Sequence, residues 1–220
     1  MIFIIMVAAY VIGSIPTGYI IVKVVSGQDI RQVGSGRTGG TNAMRAAGLA
    51  AGLLTALLDA LKGAVCVWLA QWVLPSDTAA SGMVLAGLAA IFGHNYSIFM
   101  RFKGGAGGAP CVGAAMAIWP WSVLIVLPVG LGILFGLGYA SVATLSVAIV
   151  ITALFAYRTF AVQAPAVFIL YGVGAFVLLA WTLRPNIRRL LRGEERLIGW
   201  RAKRMRVKEA GAGESSSKGR

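Results

Sequence analysis

Residues 110–155 read PCVGAAMAIWPWSVLIVLPVGLGILFGLGYASVATLSVAIVITALF, a tract without a single Asp, Glu, Lys or Arg. One bilayer-crossing helix takes roughly 20 apolar residues, so the tract is far too long for one. Trp119-Pro120-Trp121 and Gly136-Leu137-Gly138 divide it into three helices, the first of them short. The pattern continues on either side. A first span covers Ile2 to Val25, kinked at Pro16. Further spans cover Ala51 to Leu74, Ala80 to Met100 and Gln163 to Trp181. The expectation is an all-α integral membrane protein of seven transmembrane helices.

Composition agrees. The chain has 220 residues, 58% hydrophobic and only 12% charged, whereas soluble domains are about a quarter charged. It cannot clothe its own surface in polar groups. Its 29 glycines suit membrane helices, which use small residues for close approach. The first apolar run lacks a basic leader and a small-residue cleavage site, so it reads as a retained helix rather than a signal peptide. Cys66 and Cys111 lie in apolar stretches without metal-ligand spacing, which argues against a disulfide or a zinc site.

The net charge of +13 is concentrated: 12 of the 20 Lys and Arg lie at or after Arg184. A basic tail beside a membrane sets topology and meets anionic lipids. Base-reading elements are missing from it, so no nucleic-acid partner is expected. Residues 1–200 then form the membrane domain and 201–220 a basic, disordered cytoplasmic tail. With the N-terminus outside, the breaks at Ser26–Leu49 and Arg101–Ala109, the Gly138 turn and the tail all face the cytoplasm. Those regions carry Arg31, Arg37, Arg45, Arg101 and Lys103, while outer loops hold only Arg158 and Asp77. The expected location is the inner (plasma) membrane, multi-pass, with its site facing the cytoplasm.

The two breaks carry the chemistry. Gly34-Ser35-Gly36-Arg37-Thr38-Gly39-Gly40-Thr41-Asn42, with Arg45 just beyond, is dense in glycine and hydroxyls. Glycine lets backbone N–H groups converge on an anion, and arginine clamps phosphate with two hydrogen bonds. Lys103-Gly104-Gly105-Ala106-Gly107-Gly108 offers the same ingredients ahead of a helix N-terminus. Either break alone is equally well a flexible interhelical loop. Two on one face, both with cations, read as paired phosphate cradles. Neither has P-loop spacing, so nucleotide hydrolysis is not indicated.

Other polar residues are sparse. His94, the sole histidine, ends the third span nine residues before Lys103 and is either a structural group or a base or polarising donor. Asp59 and Lys62 share a helix face, as a neutralising pair or with Lys62 free for a bound phosphate. Ser141 starts the sixth span, where serine is an ordinary cap. Arg184 to Leu191 reads as an amphipathic basic helix on the membrane surface. The seven acidic residues are too scattered for a metal site, and no cofactor is expected.

Taken in order, these residues resemble the bacterial acyl-phosphate:glycerol-3-phosphate acyltransferase family over about Gly13 to Gly199. The matching pieces are Gly13-Ser14-Ile15-Pro16-Thr17-Gly18-Tyr19, Asp29-Ile30-Arg31, Gly34-Ser35-Gly36 with Thr41-Asn42 and Arg45, and Leu58-Asp59-Ala60-Leu61-Lys62-Gly63. Gly93-His94-Asn95, Phe102-Lys103-Gly104-Gly105 with Gly107, and Tyr139-Ala140-Ser141 follow. Arg184, Asn186-Ile187, Arg189-Leu190-Leu191, Gly193 and Glu195 complete the set.

The resemblance implies transfer of an acyl group from acyl phosphate to the 1-hydroxyl of glycerol 3-phosphate, giving lysophosphatidic acid without a metal. It implies catalytic roles for Ser35, His94, Ser141 and Asn186. It implies substrate-binding roles for Arg45, Thr41, Asn42, Lys103, Gly104, Gly105, Gly107, Arg184 and Glu195. In this reading Lys103 and the backbone of residues 104–108 hold the acyl phosphate, and Arg45 holds the glycerol phosphate. A functional link to the enzyme that makes acyl phosphate follows.

The chain departs from the family pattern at several positions. Ala106 stands where a second lysine is common, Leu183 where a histidine is expected, and Arg37 where a small polar residue is usual. Gly40 replaces a usual alanine, and Pro110 a common hydroxyl residue. Arg37 or Arg101 is a candidate to grip the phosphate in place of a lysine at position 106. A non-catalytic or altered-substrate relative is therefore the alternative, with a small-anion transporter behind it; no inverted repeat supports the transporter.

Overall fold

The computed structural model describes residues 1–198; the tail expected over 201–220, with its lipid contacts, lies outside the described residues. Among the described residues eight α-helices follow one another: α1 Ile2–Ser14, α2 Thr17–Ser26, α3 Gly40–Val73, α4 Ser76–Asn95, α5 Gly108–Ile118, α6 Val123–Leu137, α7 Ala140–Val162 and α8 Val167–Leu191. Single 3-10 turns occupy Ile30–Gln32, Ile98–Met100 and Pro120–Ser122.

Six of these helical segments are long and apolar enough to cross a bilayer, with α1 and α2 counted as one. The seventh expected span is α5. Its 11 residues rise about 16 Å at 1.5 Å each, roughly half of a ~30 Å hydrocarbon core.

Three expected boundaries move. The kink at Pro16 is a full break, with Ile15 and Pro16 outside both helices. The glycine-rich segment is partly helical: α3 begins at Gly40 and runs to Val73 across a kink at Ala47 and Gly48, where Gly48 has a φ of 88°. The basic stretch from Arg184 is not a separate surface helix. It is the end of α8, which continues through Pro185. A proline deprives the carbonyl four residues back of its donor. The carbonyl so freed is that of Trp181; one residue on, Arg37 donates to the carbonyl of Thr182 at 2.8 Å and ties this turn to the first glycine loop.

Helix packing follows the small residues. α1 lies on α4, α3 on α5 and α7 on α8, with α4 between α3 and α8. Any Cβ at Gly13 or Gly93 would strike backbone across the α1–α4 contact, at Ala90 and Tyr10 respectively. Gly63 and Gly113 play the same part between α3 and α5, against Pro110 and Ala60. Alanines 64, 86, 90, 114, 115, 148 and 175 are wholly buried, while Phe3, Val24, Trp72 and Phe160 face outward. Apolar bulk outside and small residues inside are the arrangement of a protein whose solvent is lipid.

Candidate active site

Three helices begin around one cavity of about 170 Å³. α3 starts after Gly39, α5 after Gly107 and α7 after Tyr139. Gly40 and Thr41, Gly108 and Ala109, and Ala140 and Ser141 all line it. The first N–H groups of a helix have no intrahelical acceptor and carry the positive end of its dipole. Arg37, Arg45, Arg189 and Arg196 line the same space against Asp59 and Glu195. Four guanidinium groups, two carboxylates and three helix N-termini make an anion cavity. Gly107, at a φ of 82°, turns the chain into α5, and a Cβ there would meet Asn95 and Leu179.

The floor is an ionic cluster. Asp59 Oδ1 accepts from Thr17 Oγ1 at 2.5 Å and from Lys62 Nζ at 2.8 Å, with His94 Nδ1 3.5 Å away. Lys62 Nζ also donates to the Ile15 carbonyl and lies 2.9 Å from His94 Nδ1. An ammonium has three donors and no lone pair, so all three N–H groups are taken and His94 Nδ1 is the acceptor. Nε2 then carries the ring proton, and it faces Gly105, where a Cβ would collide with it. His94 is thus a donor toward the glycine loop and cavity. Asp59 Oδ2 is buried without a hydrogen-bond partner among the described residues.

Asn42 organises the first glycine loop. Its amide nitrogen donates to the carbonyls of Ile30, Val33 and Arg37, and its Oδ1 accepts from the Ser35 N–H at 3.1 Å. Upstream, Asp29 caps the 3-10 turn by accepting from the Arg31 N–H at 2.9 Å. The Arg31 guanidinium and that backbone bond lower the Asp29 carboxyl to about 2, so the cap stays ionised at neutral pH.

The segment after α8 folds back across the cavity mouth. Glu195 Oε1 accepts from Asn186 Nδ2 at 2.7 Å and Ser141 Oγ at 3.4 Å; Oε2 accepts from Arg189 Nε at 3.1 Å. Arg196 donates to the Gly34 carbonyl, and the Ile198 N–H to that of Gly138.

A second cavity, of about 600 Å³, lies behind the glycine loop. Arg31, Arg101, Lys103, Gly104, Gly105, Trp181 and Arg184 line it, and it shares Ser35 and Arg37 with the first. Gly104 and Gly105 donate their N–H groups to the carbonyls of Asn95 and His94. Those bonds pin the loop beneath the end of α4.

A model of the glycerol-3-phosphate acyltransferase family matches residues 3–193. The chain belongs to the glycerol-3-phosphate acyltransferase family. Among relatives, glycerol-3-phosphate acyltransferase 2 of Moorella thermoacetica is 38% identical over 200 residues, covering 90% of this chain and 97% of its own. The Gloeobacter violaceus glycerol-3-phosphate acyltransferase is 35% identical, covering 87% and 92%. Crystal structures of PlsY (YgiH), an integral membrane glycerol 3-phosphate acyltransferase, share the fold. Its glycerol 3-phosphate form superposes with a TM-score of 0.76 at 33% identity over 90% of this chain and 96% of that one. Its lysophosphatidic acid form gives 0.73 at 32%, over 90% and 95%.

In this acyltransferase the expected residues fall into two groups. Ser35, Thr41, Asn42, Arg45, His94, Gly107, Ser141, Asn186 and Glu195 line the first cavity. Lys103, Gly104, Gly105 and Arg184 do not: they line the second. The loop expected as one cradle, Lys103 with the backbone of residues 104–108, divides between the two cavities. Two of those N–H groups are already spent, and only Ala106 to Ala109 of that loop reach the first cavity. Asn42, Asn186 and Glu195 each bond protein partners and tie loops and helices together. Lys62 has no donor left for a phosphate. The Arg45 side chain, by contrast, makes no hydrogen bond or ion pair among the described residues. Arg189 and Arg196 join the cavity without being expected there; the family-like run after Arg184 is the one sequence signal that points to them.

Proposed function

We propose that the enzyme transfers an acyl chain from acyl phosphate to the 1-hydroxyl of glycerol 3-phosphate within the first cavity, yielding lysophosphatidic acid and inorganic phosphate. The observation that carries this reading is the convergence of three helix N-termini and four arginines on one small cavity. Two phosphate-bearing substrates need that much positive potential. Arg45 and the start of α3 hold the glycerol phosphate. The start of α5 faces the acyl phosphate.

The C1 oxygen attacks the acyl carbonyl, the carbon–oxygen bond to phosphate breaks, and the hydroxyl proton ends on a phosphate oxygen. Acyl phosphate already has a good leaving group, so positioning supplies much of the acceleration, about 7–11 kcal/mol for well-aligned reactants. Donors aimed at the developing oxyanion add to it. His94 Nε2–H and the Ser35 and Ser141 hydroxyls are suited to that role. Asn186, Asn42 and Glu195 keep the donors in place.

The site faces the cytoplasm of the inner membrane, with the N-terminus outside. α5 and its glycine loop together make the seventh traverse, a half-span whose N-terminus sits at the chemistry. Residues 1–200 act as one membrane domain, and the tail at 201–220 lies on anionic lipid. The enzyme draws its donor from the enzyme that makes acyl phosphate. Purified protein given palmitoyl phosphate and glycerol 3-phosphate is expected to release phosphate and lysophosphatidic acid in equal amounts, with palmitoyl-CoA inert. Turnover with palmitoyl-CoA alone would overturn the assignment of donor. Folded protein inert with both would favour the non-catalytic reading, for which Ala106 and Leu183 speak.

A further inference from the structure

Arg37, like Ser35, lines both cavities. One Nη donates to the Gly105 carbonyl at 3.1 Å; the other donates to the Thr182 carbonyl at 2.8 Å and to Asn186 Oδ1 at 3.1 Å. Every acceptor is neutral. Arg37 makes no ion pair with any carboxylate among the described residues, and Glu195 bonds Asn186 rather than the guanidinium. A guanidinium has five N–H donors, so two of them, Nε–H and one Nη–H, have no acceptor among the described residues. Burial pulls its pKa below the ordinary arginine value, and the neighbouring Arg189 cation adds to that. Ala106, which lines the first cavity, follows the Gly105 whose carbonyl Arg37 holds. Arg101 and Lys103 line the second cavity alone.

We propose that Arg37 is a phosphate ligand of this enzyme: it takes the phosphoryl group of the acyl donor, and the second cavity is the path by which inorganic phosphate leaves. This rests on the acyl phosphate reading above. The two phosphates have different fates. That of glycerol 3-phosphate remains on a lipid product, which departs into the membrane. That of the donor becomes a small anion, which departs into water. The wider cavity, lined by Arg31, Arg101, Lys103 and Arg184 and sharing Arg37 with the reaction cavity, serves the second. Lysine in place of arginine keeps the charge but loses the fork that grips two phosphate oxygens.

The test compares wild type, Arg37→Gln, Arg37→Lys and Arg37→Gln combined with Ala106→Lys, each checked for an unchanged melting curve in detergent. Binding of radiolabelled inorganic phosphate is measured directly, beside its inhibition constant against palmitoyl phosphate and the KM for glycerol 3-phosphate. Arg37→Gln is expected to weaken phosphate binding about 10- to 150-fold, the worth of a charged hydrogen bond or two, with KM for glycerol 3-phosphate within twofold. Arg37→Lys falls between, and Lys at 106 restores much of the binding. Folded Arg37→Gln that binds phosphate as wild type does would overturn the proposal. So would a loss confined to glycerol 3-phosphate, which would make Arg37 a ligand of the acceptor. If Arg37→Gln alone does not fold, the Lys variant and the double variant carry the comparison: wild-type phosphate affinity in Arg37→Lys together with no binding in the folded double variant overturns it. Direct phosphate binding reads Arg37 even if palmitoyl phosphate proves not to be the donor.

Discussion

Arg45→Ala is expected to lower kcat/KM for glycerol 3-phosphate about 10- to 150-fold while leaving KM for the acyl donor within twofold. Arg45 lies in the first turns of α3, ahead of the kink at Ala47 and Gly48, and lines the reaction cavity. With no hydrogen bond or ion pair among the described residues, it gives up no internal partner on truncation. Losing hydrogen bonds to a charged group costs about 1.5–3 kcal/mol, and each 1.4 kcal/mol is tenfold. Arg45→Lys should keep part of the rate. Steady-state kinetics with each substrate varied in turn decides the matter, and an unchanged KM and kcat/KM for glycerol 3-phosphate in Arg45→Ala would remove Arg45 from the acceptor site.

The largest effect on stability is expected at the floor of the cavity. Lys62→Met leaves Asp59, whose side chain is 1% exposed, without its 2.8 Å partner. Breaking a buried ion pair from one side costs about 3–5 kcal/mol, because a desolvated charge is left behind. Replacing both members, as Asp59→Leu with Lys62→Met, should recover much of that loss, since buried pairs exchanged for apolar groups are often near neutral. Thermal unfolding of the two single variants and the double in one detergent gives the coupling directly. Stability returns in the double variant, but turnover does not: His94 Nδ1 loses the lysine that fixes its proton on Nε2. Additive losses in the double variant would show that the pair does not act as a unit.

Much of this is legible in the chain. The i, i+3 spacing of Asp59 and Lys62 puts them on one helix face and leaves open a pair or a lysine free for phosphate; the structure pairs them. The two glycine breaks announce themselves by composition, and Ser35, Arg45, His94 and Ser141 come together at one cavity from four separate elements. What cannot be read lies in contacts between distant segments. His94 joins Asp59 and Lys62 only because α4 packs on α3. Arg184 to Leu191 reads as a basic amphipathic helix on the membrane surface rather than as the end of the last span. In the structure α8 continues through Pro185, and Arg37, 145 residues away along the chain, donates to the Thr182 carbonyl in that turn. By position Lys103 reads as the cation of the second cradle. Its loop is turned away by the bonds from Gly104 and Gly105 to the end of α4, which no spacing rule reports.

The most direct measurement is an experimental structure with glycerol 3-phosphate and a non-transferable acyl phosphonate bound together. The expected result is both phosphorus atoms in the first cavity, one against Arg45 and the start of α3, the other between Arg37 and the start of α5. A phosphonate seated in the second cavity against Lys103 and Arg101, with the first cavity holding neither group, would contradict it.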